Sequence, residues 1–165
     1  METLEWRVPF RWIAGGALVV AVLDFLDAVV FFGLRNGTSP IRIAQSIAAG
    51  VMGRSAFSGG TPAAMLGVGL HFLIAYLIVL TYWTLSRAIP MMTTRVAASG
   101  ILFGIAAYFV MNYVVIPLSA TSRGAFAMPV FLNGLAIHVV GVGLPAAWFV
   151  SRAARAAGRD GVDKT

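Results

Sequence analysis

Residues 63–86 read AAMLGVGLHFLIAYLIVLTYWTLS, a run without a single Asp, Glu, Lys or Arg. A helix over that stretch rises about 1.5 Å per residue and so covers the roughly 30 Å of a bilayer's hydrocarbon. Three further runs are long and apolar enough to do the same: about Trp12–Leu34, Val96–Leu118 and Pro129–Ser151.

The rest of the chain agrees with lipid as its solvent. Of 165 residues, 59% are hydrophobic and 11% charged, and the mean hydropathy is +0.88. Soluble domains carry about 25% charged residues, and so few charges cannot coat a globule of this size. The predicted fold class is all-α. We expect a polytopic membrane protein, a four-transmembrane-helix bundle forming a single integral domain over residues 1–165. Arg7 and Arg11 precede the first run as in a signal peptide. No small-x-small cleavage site follows Ile13–Leu23, however, and apolar character resumes after Asp27, so the span is read as retained.

Trp6, Trp12, Tyr82, Trp83 and Trp148 fall near span ends, where amphipathic rings prefer the headgroup level. Pro90 suits a tight connection between the second and third spans. Basic residues set the orientation. Arg7, Arg11, Arg87, Arg95, Arg152, Arg155, Arg159 and Lys164 lie on one side; Arg35, Arg42, Arg54 and Arg123 lie on the other. Both termini, including the tail 152–165, are therefore expected in the cytoplasm. The tail arginines suit contact with anionic lipid.

The connection after the first span is long. Thr38-Ser39-Pro40 reads as a helix start. Ile41, Ala44, Ile47, Ala48 and Val51 then recur at helical spacing, with Arg42, Gln45 and Ser46 elsewhere. An amphipathic helix over about 40–57 is predicted, lying on the outer surface or tucked against the bundle, ending in Ser58-Gly59-Gly60.

A two-fold hairpin repeat is also expected. Shifting by 84 pairs Gly16, Phe25, Val30 and Leu34 with Gly100, Phe109, Val114 and Leu118; shifting by 67 pairs Gly67-x-x-x-His71 with Gly134-x-x-x-His138. The offsets differ by 17 residues, about the length of the inserted helix.

Polar residues within the spans are few: Asp24, Asp27, His71, Tyr108, Asn112, Asn133 and His138. A charge in hydrocarbon costs roughly 2.5–3.5 kcal/mol on insertion scales, so one that persists is usually turned inward. His71 and His138 lie about eight and nine residues from the outer ends of parallel spans, roughly 12–14 Å deep, with the aspartates at a similar level. Asp24 and Asp27 are three apart and so share a helix face. Four stripes of small residues accompany them: Gly16-Val20-Asp24-Ala28, Gly67-His71-Ala75, Gly100-Gly104-Tyr108-Asn112 and Gly134-His138-Gly141-Pro145. Small residues let helices approach, so the stripes are expected to face one another. Pro145 is expected to bend the fourth span.

Three roles fit this cluster. It can be structural, with Asp24 or Asp27 accepting hydrogen bonds from His71, His138, Tyr108 or Asn112. It can be a proton or ion relay, since neighbouring carboxyl and imidazole groups sheltered from water exchange protons readily. It can be a metal site built from His71, His138, Asp24 and Asp27, or a haem held between the two histidines. No HxxxH or ExxH pair stands on one helix.

Other classes find no support. There is no cysteine, no G-x-S-x-G and no P-loop; Ser58-Gly59-Gly60-Thr61-Pro62 lacks a phosphate-binding lysine, and nothing marks Ser55 or Ser58 as a nucleophile. Met52, Met65, Met111 and Met128 are scattered as packing methionines are. The arginines form no run, which argues against nucleic acid despite a net charge of +6. The expected partner is the lipid bilayer. The Gly100-x-x-x-Gly104 pair would also serve a homo-oligomer or a larger membrane complex, with the chain as an accessory subunit. The expected function is thus a proton-linked or small-solute/ion transport role, with a structural or accessory role as the alternative and metal or haem binding by His71 and His138 as a second.

Leu66-Gly67-x-x-Leu70-His71-Phe72-x-Ile74-Ala75, with Asn133-Gly134-x-x-x-His138 and Gly143-Leu144-Pro145, resembles a class of small uncharacterised bacterial four-helix inner-membrane proteins. The resemblance covers most of the chain. It implies a bacterial inner membrane and carries no activity, ligand or site residue with it.

Overall fold

In hydrocarbon a backbone must satisfy its own N–H and C=O groups, and the helix does so locally. The computed structural model describes residues 9–121 and 124–162, and every regular element among them is helical. Trp6, Arg7, Arg123, Lys164 and the side chain of Arg159, read above as flanking groups, lie outside the described residues.

The first span is α1, Phe10–Asn36. It runs past the apolar stretch until Gly37 takes a left-handed φ of 65° and closes the helix, donating its N–H to Gly33 O at 2.9 Å. Ser39 then caps α2, Pro40–Met52, its Oγ accepting from Arg42 N, with Pro40 in the first turn. Gly53, at φ 62°, ends α2, and a 3₁₀ turn over Gly53–Ser58 leads on. The predicted 40–57 helix is therefore two pieces. The second span is α3, Gly60–Ala88. Pro90 and the short α4, Met91–Thr94, make the expected tight connection.

The third and fourth spans are each interrupted. Helix α5, Val96–Val110, widens into a π-helical segment over Met111–Val115 before α6, Ile116–Leu118. Helix α7, Met128–Ile137, widens over His138–Gly143 before α8, Leu144–Val162. In both cases a proline, Pro117 or Pro145, stands two residues after the π segment. A proline ring cannot donate to the carbonyl four residues back and collides with it, and a wider turn upstream relieves the collision. Four helices, Phe10–Asn36, Gly60–Ala88, Val96–Leu118 and Met128–Ala157, are long and apolar enough to cross a membrane.

Helix α1 packs on α3 and on the fourth span, and α5 packs on the fourth span in turn. The apolar core fills the half of the bundle away from α2: Ile13, Val20, Val79, Val142 and Val150 are fully buried there. Tyr82 is also fully buried, donating to Met92 O at 2.9 Å and stacking edge-on against Phe103. It is a core residue with a satisfied hydroxyl and not the headgroup anchor expected from its position. Trp148, by contrast, is exposed.

Glycine faces make the closest contacts. A Cβ on Gly104 would strike the His138 carbonyl, and one on Gly143 would strike the carbonyl of Gly100. The Gly100/Gly104 pair is thus occupied within the chain by the fourth span. The stripe at Gly67 departs from expectation as well. A Cβ there would sit on the Ala44 carbonyl, so Gly67 seats α2 and not another span.

That seat explains a second correction. The buried residues of α2 are Ile43, Ala44, Gln45, Ala48 and Ala49, whereas Ile41 and Val51, expected on the packed face, are exposed. Small side chains let α2 approach α3 closely, and Ile41 and Val51 turn outward. Gln45 is satisfied in its burial by donating to Gly60 O at 3.1 Å.

Candidate functional site

Where the apolar core ends, a cavity of about 520 Å³ begins. The second and third spans meet at the core end through Tyr82 and Phe103. Towards α2 they part, and the space between them is lined by His71, Ile74 and Ile78 on one side and Met111, Asn112 and Ile116 on the other. Helix α1 contributes Val20, Asp24, Phe25, Ala28 and Phe32, the fourth span His138 and Val142. Helix α2 roofs it with Arg42, Ile43, Ser46 and Ile47. Both π segments lie on its wall, at Met111–Asn112 and at His138–Val142. Such widened turns occur often at functional sites, because they re-aim side chains that a regular helix would point elsewhere.

Of the seven polar residues expected inside the membrane, four line this cavity: Asp24, His71, Asn112 and His138. Each imidazole has one nitrogen held by a carbonyl. His71 Nε2 lies 2.9 Å from Ala21 O on α1, and His138 Nδ1 lies 2.9 Å from Gly134 O in its own helix. The rings are further fixed by aromatic neighbours, His71 by Phe25 and Phe72, His138 by Tyr108 at 5.4 Å between ring centres. Asn112 Nδ2 donates to Tyr108 O at 3.0 Å. Tyr108 is buried behind this wall and packs against Gly134.

Asp24 is different. It stands within electrostatic reach of His138, His71 and Asp27. Among the described residues, its carboxylate accepts no hydrogen bond. A half-buried carboxylate facing a largely apolar space without a hydrogen bond is costly unless something enters to meet it: water, a proton or a cation. Asp27, one helical turn on, has its partner. Asn133 Nδ2 donates to Asp27 Oδ2 at 2.6 Å and ties α1 to α7. The two aspartates share a face in the loose sense of three-residue spacing, yet they point at different neighbours. The expected single cluster is two: a strut, Asp27–Asn133, and an open site around Asp24.

The donor set weighed above as a possible metal site is not gathered in one place. Among the described residues, no group of three or more His, Asp or Glu side chains is placed to hold a metal ion. Asp27 is withdrawn into its bond with Asn133, and His71 Nε2 is directed at a main-chain carbonyl, a nitrogen that a haem iron would need free. Sequence reasoning missed Arg42, which enters the cavity from α2, and the two π segments. Pro117 and Pro145 within apolar spans were the signals for the latter.

Compared with known protein families, with curated proteins and with solved structures, the chain gives no match.

Proposed function

We propose that this multi-pass membrane protein carries a proton or a small solute through the cavity around Asp24, in a bacterial inner membrane with both termini cytoplasmic. The observation that carries the reading is the unbonded Asp24 carboxylate facing a space shared with His71, His138 and Asn112. In this scheme Asp24 takes up the proton or cation. The two imidazoles, one on each side of the cavity, pass a proton or orient water, since a neutral imidazole both donates and accepts. The basic residues favour this orientation, placing α2 and the roofed end of the cavity on the outer side.

The test is flux in liposomes. Purified protein is reconstituted with a pH-sensitive dye inside, and a potassium diffusion potential drives proton entry. Wild type is expected to dissipate the gradient and Asp24→Asn to fall to the protein-free rate. Equal flux from the two, or none from wild type with protons or a panel of small ions, ends this reading.

An accessory role is the second reading. It is favoured by a ridge of exposed Leu18, Val22, Leu26 and Val30 at four-residue spacing along α1, a surface open to lipid or to another membrane subunit. Cross-linking in native membranes to a specific larger protein supports it; lipid alone along α1 removes it.

A further inference from the structure

The cavity is lined by one acidic and one basic side chain on different elements. Asp24 lies on α1 among the polar groups, half-buried; Arg42 comes from α2 and is exposed at the rim. The arginine is not loose. Its guanidinium carbon lies 4.0 Å from the centre of the Phe57 ring, and Nη1 donates to Phe57 O at 3.4 Å. A guanidinium has five N–H donors, so most are left to meet an anion. Most of the remaining lining is apolar, with Phe25, Phe32, Ile43, Ile47 and Ile74 beside the hydroxyls of Thr38 and Ser46. On α1 the lining runs Asp24, Ala28, Phe32 at four-residue spacing, eight residues or about 12 Å along the helix.

These features constrain what can bind. A simple cation drawn to Asp24 has to pass a held arginine at the rim. A simple anion drawn to Arg42 finds a carboxylate deeper in. Each single-charge solute gains one contact and meets one repulsion, which is how a site rejects near relatives. A molecule with both charges satisfies both ends. Its middle should be largely apolar, to match that lining. Resting on the transport reading above, we propose that the cavity takes a zwitterion whose ammonium and oxyanion are separated by a short apolar frame, with the ammonium at Asp24 and the oxyanion at Arg42. Either a free solute or the headgroup of an aminophospholipid offers this chemistry.

The test uses the full-length protein in detergent, with equilibrium dialysis of radiolabelled ε-aminocaproate and two analogues lacking one charge each, hexylamine and caproate. Wild type is expected to bind the zwitterion about tenfold or more tightly than either analogue, the worth of one charge-assisted contact. Asp24→Asn should bring the zwitterion down to the level of caproate, and Arg42→Gln down to the level of hexylamine. Wild-type discrimination decides the matter even if a variant folds poorly. Hexylamine or caproate binding as tightly as the zwitterion overturns the proposal, as does no binding of any of the three at millimolar concentration. Repeating the measurement in phosphatidylcholine nanodiscs with and without phosphatidylethanolamine separates the sources. Competition by that lipid assigns the zwitterion to a headgroup, and no competition assigns it to a free solute. Proton flux in liposomes is read independently. Zwitterion binding with neither proton flux nor uptake of the labelled zwitterion into the liposomes keeps this assignment and removes the transport reading, while flux without discrimination does the reverse.

Discussion

The contrast between Asp24 and Asp27 yields a prediction in which stability and activity part company. Asp27→Ala removes the acceptor of the 2.6 Å bond from Asn133 that joins α1 to α7. Hydrogen bonds between helices in a membrane average about 0.6 kcal/mol and reach about 1.7, and a charged acceptor places this one at the upper end. The expected loss is about 1–2 kcal/mol, since the Asn133 amide is also left without its partner. Asp24→Asn removes no hydrogen bond to any described residue and keeps the side chain's shape. It also takes a charge out of an apolar cavity. The expected change is within about 0.5 kcal/mol of wild type, or a gain. The assay is reversible unfolding by SDS in mixed micelles, followed by tryptophan fluorescence, with both variants and wild type in the same lipid-detergent ratio. One kcal/mol is a factor of about five in the unfolding constant, well within resolution. If Asp24→Asn is as destabilised as Asp27→Ala, the carboxylate is a structural acceptor and the division into strut and site is wrong. A silent Asp27→Ala refutes the strut.

Other perturbations follow from the packing. Gly143→Ala puts a Cβ on the Gly100 carbonyl, backbone that cannot swing aside; a loss of about 1–3 kcal/mol in the same assay is expected, and a neutral result would show that the third and fourth spans are not in contact there. His71→Ala breaks the contact with Ala21 O and should cost about 0.5–1.5 kcal/mol as well as flux, so only the flux per folded molecule reports on relay. Pro145→Ala restores an N–H donor and should return the π segment to regular helix, stabilising the span while turning His138 away; unchanged flux with a verified regular helix would show that the widened turn plays no part. The sequence has no cysteine, so single cysteines report topology directly. Ser58→Cys should react with an impermeant maleimide on intact cells, and Ala154→Cys only after permeabilisation; the reverse pattern inverts the orientation.

The four spans could be read from the chain because a hydrocarbon slab imposes one length on every helix, and four apolar runs met it. Their ends could not, because helices continue until a backbone event stops them, as Gly37 does beyond Leu34. Depth along a helix follows from counting, and His71, His138, Asp24 and Asn112 do share a cavity. Direction around the helix is harder. Asp24 and Asp27 differ by about 60° in azimuth at 100° per residue, which aims them at separate neighbours although spacing calls them one face. The misread face of α2 has a similar cause. Large apolar residues usually mark the packed side in water, but in lipid they are equally at home outward, and the close contact falls to alanine and glycine. Tyr82 was misplaced because nearness to a span end says nothing of whether a core reaches it. Widened turns leave no periodic signature, only a proline.

The seating of α2 on Gly67 bears on how anything could come and go. Main-chain contact between α2 and α3 leaves no side chain to rotate aside, so roof and second span form one slab. At its far end α2 is held to the segment just after the third span by the bond from Ala120 N to Gly50 O at 2.8 Å. Held along one edge by backbone contact and at the other by a backbone hydrogen bond, α2 is a fixed roof, and passage beneath it falls to the side chains.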